Sequence, residues 1–241
     1  VSYPVSQSTA FIIEEHALKE LVPNELKKQA LKPLTPEIDA TENVTERLLI
    51  EKEYDLATYM QSTGNLSNNT TLSGTDQWDD YANSDPIGDV KTAKQTVHSK
   101  IFKDPNVMVI GKEVYDKLVD HPDILDRIKY TKLGVATSDL LARLFEVDKV
   151  IVAAAGYNSA VEGQSDSMSY IWGKNVWLLY VTKKPGIKQV SFAYFFQMEA
   201  PRRADKWFNN DRKGTYVRIT DEYTRETVSV DCAYLIKSTV A

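Results

Sequence analysis

Three histidines (His16, His98 and His121), one cysteine (Cys232) and two adjacent acid pairs (Glu14/Glu15 and Asp79/Asp80) are the residues of this 241-residue chain best suited to proton transfer, nucleophilic attack or metal binding. A catalytic histidine needs a nucleophile on one side and an orienting carboxylate on the other. These three stand in separate segments, and no local motif supplies either partner. They read as surface or helix-end histidines. No HxH or HxxxH spacing offers ligands to a metal, and a single cysteine excludes both a thiolate zinc cluster and an intrachain disulfide. The acid pairs read as solvated surface. The Gly64–Gly74 run lacks the Lys-Ser/Thr ending of a phosphate loop and does not join a strand to a helix. The pattern points to no catalytic, cofactor-binding or metal-ligating residue, and to no cofactor.

One cluster could bind rather than react. Arg202, Arg203, Lys206, Arg212 and Lys213 interleave with Trp207 and Phe208 in a form that suits nucleic acid. Asp205 and Asp211 weaken its field, and an acidic patch on another subunit fits it as well. A formal charge of -5 argues against binding nucleic acid by bulk electrostatics. Four glycosylation sequons, at Asn43, Asn65, Asn68 and Asn69, fall in polar sequence and read as chance matches. The longest apolar runs, VIVAAAGY and VWLLYV, are too short to span a bilayer.

Composition is that of a globular chain, 42% hydrophobic and 26% charged. Residues 1–36 suggest an extended arm, then a short helical pattern over EEHALKEL broken by Pro23. Residues 39–62 are the clearest helix. Asp39 is its candidate cap, and Val44, Leu48, Leu56 and Met60 form its apolar stripe, widened by Leu49 and Ala57. Residues 63–84 form a loop pinned by Trp78. Asp85 and Pro86 open a second helix that ends before Pro105. From His121 to Val181 the pattern runs helix, helix (capped by Ser138), strand DKVIVAAAGYN, loop and strand IWGKNVWLLYV. VSFAYFFQME is a strand, PRRADKWFNNDRKG a basic turn, and two further strands close the chain. The class is α+β, with strands concentrated in the C-terminal half.

Taken in order, EEHALKELVP, DATENVTERLLIEKEYDLA, QWDDYANSDPIGDVKTA, PNVMVIGKEVYDKLVDHPDILDRIKYTKLGV, LLARLFEVDKVIVAAAGYNSA, IWGKNVWLLYV and DEYTRETVSVDCAYLIKSTVA resemble the major capsid proteins of tailed bacteriophages with the Hong Kong 97-type fold. The resemblance spans nearly the whole chain and rests on the number and order of its pieces. It implies a partial E-loop at residues 1–36 and a peripheral domain at 37–105 with its spine helix at 39–62. It further implies an axial domain with a central mixed sheet flanked by helices at 106–189. Long peripheral-domain strands follow at 190–241, the last strand returning to the axial domain. The family's N-terminal arm and outgoing E-loop strand have no counterpart, which implies residues before Val1 in the parent protein.

The implied function is structural: many copies form hexamers and pentamers of an icosahedral head around double-stranded DNA, in a virion assembled in the bacterial cytoplasm. Scaffolding, portal and decoration proteins are the implied partners, with packaged DNA on the inner surface and no membrane. Tyr157, Tyr170 and Trp172 become candidates for contacts between copies. Some relatives cross-link a lysine to a neighbouring subunit's asparagine, for which Lys27, Lys28 or Lys32 with Asn209 or Asn210 are candidates without a matching motif. An encapsulin-like nanocompartment is the alternative on the same fold, and an uncharacterised hydrolase the alternative from another class.

Overall fold

Most helices described in this chain begin where a proline or a short polar side chain can use the unpaired first turn. The computed structural model describes residues 12–31, 34–128, 137–186 and 189–241. In chain order the elements are β1 (Glu14–Pro23), α1 (Asn24–Gln29), α2 (Pro36–Gln61), β2 (Asn69–Thr71), α3 (Pro86–Ile101), β3 (Val107–Gly111), α4 (Lys112–Val119), α5 (Pro122–Ile128) and α6 (Ser138–Leu144). There follow β4 (Lys149–Ala153), β5 (Gly156–Asn158), β6 (Met168–Tyr170), β7 (Val176–Leu179), β8 (Ala193–Asn209), β9 (Gly214–Thr227) and β10 (Ala233–Lys237). Among the described residues they fall into two compact units: 12–53 with 194–226, and 54–193 with 227–241.

The first unit is a three-stranded sheet, ordered β1-β9-β8, with the start of α2 packed on it. EEHALKEL, expected as helix, is strand: β1 pairs antiparallel with β9 from Glu14↔Tyr223 to Pro23↔Gly214. Alternate residues His16, Leu18, Glu20 and Val22 are the less exposed ones, so a period of two prevails over helix propensity once a partner strand is present. Leu18 packs on Val44, Leu48 and Ile219, and Val22 on Ala40 and Val217. Leu49, expected in the same stripe, is 44% exposed. α2 starts three residues before Asp39, because Ile38 and Asp39 donate their backbone N–H groups to Thr35 O at 2.9 and 3.1 Å. Pro36 then takes the first position, where its missing N–H costs nothing. The stretch expected as a basic turn is mostly strand. β8 runs through Pro201 to Asn209 and the turn is confined to residues 210–213, which Pro201 tolerates because β8 is an edge strand.

The second unit holds a mixed five-stranded sheet, ordered β2-β10-β7-β3-β4. β10 runs parallel to β2 and antiparallel to β7, and β3 antiparallel to β7 and parallel to β4. The central strands are buried almost throughout, which explains their unbroken apolar sequences VMVI, VWLL and AYLI. α3 buries Val90, Ala93, Val97 and Ile101 at helical spacing, and Asp85 Oδ1 caps it by accepting from Gly88 N at 2.8 Å. α6 is capped one residue earlier than expected, by Thr137 rather than Ser138. IWGKNVWLLYV is strand only over β7, since Gly173 turns the chain at φ 57°. Gly111 admits no side chain: a Cβ there would lie 2.1 Å from Gly173 O. Trp78 is fully buried and donates from Nε1 to Asp89 Oδ2 at 2.9 Å, so it pins the loop as its position suggested.

Candidate functional site

Each histidine has its own local role. His16 stacks on Tyr223, with ring centroids 4.4 Å apart. His98, at the end of α3, holds Asp104 with Nδ1 at 3.0 Å from Oδ1. His121 is fully buried: its Nδ1 accepts from Asp123 N at 3.2 Å, which leaves Nε2 to donate to Ser84 Oγ at 3.1 Å. Ser84 in turn donates to Asp80 O at 2.8 Å. This chain satisfies a neutral ring, and burial pulls the His121 pKa below the ordinary value, outweighing Asp123 and Asp85.

The acid pair Asp79/Asp80 also serves structure, while Glu14 and Glu15 are exposed at the start of β1. Asp79 accepts from Ala241 N, and Asp80 from Ala82 N, both at 3.2 Å. The sequon amides are in use as well. Asn43 donates to Glu20 at 2.6 Å, Asn65 to Tyr59 O at 3.0 Å, and Asn69 to Leu66 O at 2.7 Å. Asn68, 5% exposed, donates to Ala233 O at 3.0 Å and accepts from Lys100 at 2.5 Å. Cys232 is buried, and the apolar surroundings push its thiol up to about 11. Among the described residues no three His, Cys, Asp or Glu side chains are grouped for a metal ion, and no helix is long and apolar enough to cross a membrane.

Acids of the chain itself answer much of the basic cluster. Arg202 pairs with Asp221 at 3.1 Å, Arg203 with Glu222, and Lys206 with Glu37. Asp205, expected to weaken the cluster, pairs with Arg218 at 2.6 Å. Trp207 stacks on Tyr216 at 5.4 Å under the Arg218 guanidinium. Of the cross-link candidates, Lys27 pairs with Glu37 and donates to Thr215 Oγ1 at 2.5 Å, and Asn209 accepts from Arg212 N at 2.9 Å. Lys32 lies outside the described residues.

A cavity of about 560 Å3 between α3, α5 and α6 includes Lys94, His98, Ser99, Asp104, Arg127 and Glu146. Most of these groups are engaged structurally: Lys94 donates to Phe145 O at 2.9 Å and pairs with Glu146 at 3.0 Å, and Ser99 donates to Thr96 O at 2.8 Å. What stands out instead is exposed apolar surface on β5, β6 and the loop between them. Val161 is 77% exposed and Met168 80%, with Tyr170 beside them at 42%. The loop carries its own staple: Asn158 Oδ1 accepts from Ala160 N and Ser167 N, each at 3.0 Å, and Asn158 Nδ2 donates to Asp166 at 2.8 Å. Tyr157 packs edge-on against Tyr54 at 5.0 Å. Trp172, expected at an interface, is instead buried against Trp177. In the sequence Val161 and Met168 are marked only as two large apolar residues within an otherwise polar stretch.

A family profile described as phage major capsid protein E matches residues 33–195, well over half of the chain. The chain is also 30% identical over 236 residues to the major capsid protein of Burkholderia phage BcepMu, covering 95% of this chain and 74% of that one. The chain belongs to the phage major capsid protein E family. Its function is that of a phage major capsid protein, and its place is the virion shell, built from many copies of one subunit. The major capsid protein of Pseudomonas phage JBD67 is 30% identical over 171 residues, covering 69% of this chain and 54% of that one. Among solved structures, a phage-related protein from Bordetella bronchiseptica RB50 superposes with a TM-score of 0.81 at 26% identity, over 95% of this chain and 77% of that one. A Mycobacterium phage Che8 structure superposes with a TM-score of 0.56 at 12% identity, over 98% of this chain and 78% of that one. The capsid subunit thus has the Hong Kong 97-type fold, with a long helix and a central mixed sheet. Its sequence relatives are phage capsid proteins, which makes the phage head a more direct reading than a nanocompartment.

Proposed function

We propose that this subunit forms hexamers and pentamers of an icosahedral head that encloses double-stranded DNA, and that it carries no catalytic step. The observation that carries the reading is the stapled β5–β6 loop. Ordering a loop to display Val161 and Met168 to water costs entropy and gains no burial within one chain. Copies around a symmetry axis would cover them, and a loop already fixed by Asn158 loses little further freedom on contact.

On this reading the unit of residues 54–193 and 227–241 acts as the axial domain. The unit of 12–53 and 194–226 combines the returning E-loop strand with the peripheral domain. We place helix 86–101 with the axial domain rather than the peripheral one, a reading supported by its packing on β10. Scaffolding, portal and decoration proteins and packaged DNA are the proposed partners, and the bacterial cytoplasm the place of assembly.

Imaging of particles formed by the full-length chain provides the test. Rings of six and rings of five within one closed shell support the proposal. A single ring type, or particles filled with a cargo protein instead of DNA in an infected host, would overturn it.

A further inference from the structure

The three-stranded sheet ends, where β8 turns into β9, in two unlike surfaces. On the β1 side a groove of about 460 Å3 is lined by Leu26, Ala30, Leu34 and Ala40, with the acids Glu20 and Asp39. Leu26 is 52% and Leu34 64% exposed. Among the described residues Glu20 accepts only from Asn43, and no base pairs with Asp39. On the β8 side Phe208 is 52% exposed, and the adjoining turn exposes two bases, Arg212 and Lys213, against one acid, Asp211. The other bases here, Arg202, Arg203, Lys206 and Arg218, each face an acid of the same chain. The groove is therefore apolar and acidic, and the knob apolar and basic.

Both lie at one end of the sheet, because Asn24 N at the start of α1 donates to Lys213 O at 3.0 Å. They sit on opposite edges, since β9 separates β1 from β8, which places them about 10 Å or more apart. We propose that the knob of one copy seats in the groove of a second copy. Phe208 enters between Leu26 and Leu34, and Arg212 and Lys213 meet Glu20 and Asp39. The contact joins two different patches, so it is heterologous, and it makes a ring where its rotation closes. It rests on the reading that the chain assembles with copies of itself, and names a surface that does so.

The test compares the full-length chain with Phe208→Asp, Asp39→Lys, Arg212→Glu and the Asp39→Lys/Arg212→Glu pair. The fraction in shells is read by light scattering, and folding by thermal melting. Each single change lowers the shell fraction about tenfold or more, the scale of a lost interface anchor. The pair recovers most of the loss because it restores opposite charges. Unchanged shell yield in the singles, or no recovery in the pair, overturns the proposal. So do normal Phe208→Asp shells that have lost a bound accessory protein, which would assign the knob to that partner. If Phe208→Asp fails to fold, the charge exchange decides alone. A wild-type chain that forms no shells fails the assembly reading itself, before any variant is compared.

Discussion

His121 shows how a residue type that suggests chemistry is held to a structural role. Its two nitrogens are used by Asp123 N and Ser84 Oγ, and burial lowers its pKa from the ordinary 6.5. The unfolded chain therefore takes up this proton more readily than the folded one, so stability is full above pH about 6.5 and falls as the pH drops below it. His121→Gln removes that component, and melting temperature measured between pH 8 and pH 5 should fall less steeply in the variant. An equal slope in both proteins would reject the assignment. Cys232 gives a second residue-level test. With its thiol pushed up to about 11 and its side chain buried, it should resist a maleimide at pH 8 in the native protein and react on unfolding. Stoichiometric labelling of the folded chain within minutes would contradict this. Gly111→Ala, whose methyl would meet Gly173 O, should cost about 1–3 kcal/mol in denaturant unfolding, and a neutral result would show that the turn yields.

At the scale of elements, caps and pairing decide what periodicity alone leaves open. Thr137→Ala should destabilise the protein by about 1 kcal/mol, while Ser138→Ala should be close to neutral, because Thr137 Oγ1 is the group that receives Leu140 N. The reverse order in urea midpoints would restore Ser138 as the cap. The helices α2, α3 and α5 and the strand β7 were legible because their apolar residues mostly coincide with what they bury. β1 was not, because Ala, Leu, Lys and Glu favour helix and its strand state depends on β9, some two hundred residues away. The outer half of β8 was hidden similarly. Pro201 and four charged residues look like a turn until Asp221, Glu222 and Arg218 stand beside them. The interface candidates divided by burial. Tyr170 is exposed, whereas Trp172 supports Trp177, whose Nε1 donates to Met60 O at 2.9 Å.

For the whole molecule, one chain leaves apolar surface uncovered in two places: the β5–β6 loop with Val161 and Met168, and the groove and knob of the three-stranded sheet. Several polar groups that suggested chemistry make structural contacts instead: His98 with Asp104, His121 with Ser84, and Asp79 with Ala241 N. Family membership, carried by residues 33–195 and by 30% identity across 95% of the chain, agrees with that reading. The most direct measurement is the native mass of the full-length protein under assembly conditions. The account predicts closed particles of many copies, in equilibrium with rings rather than with long-lived monomers. A chain that remains a folded monomer across concentration, salt and pH would contradict it.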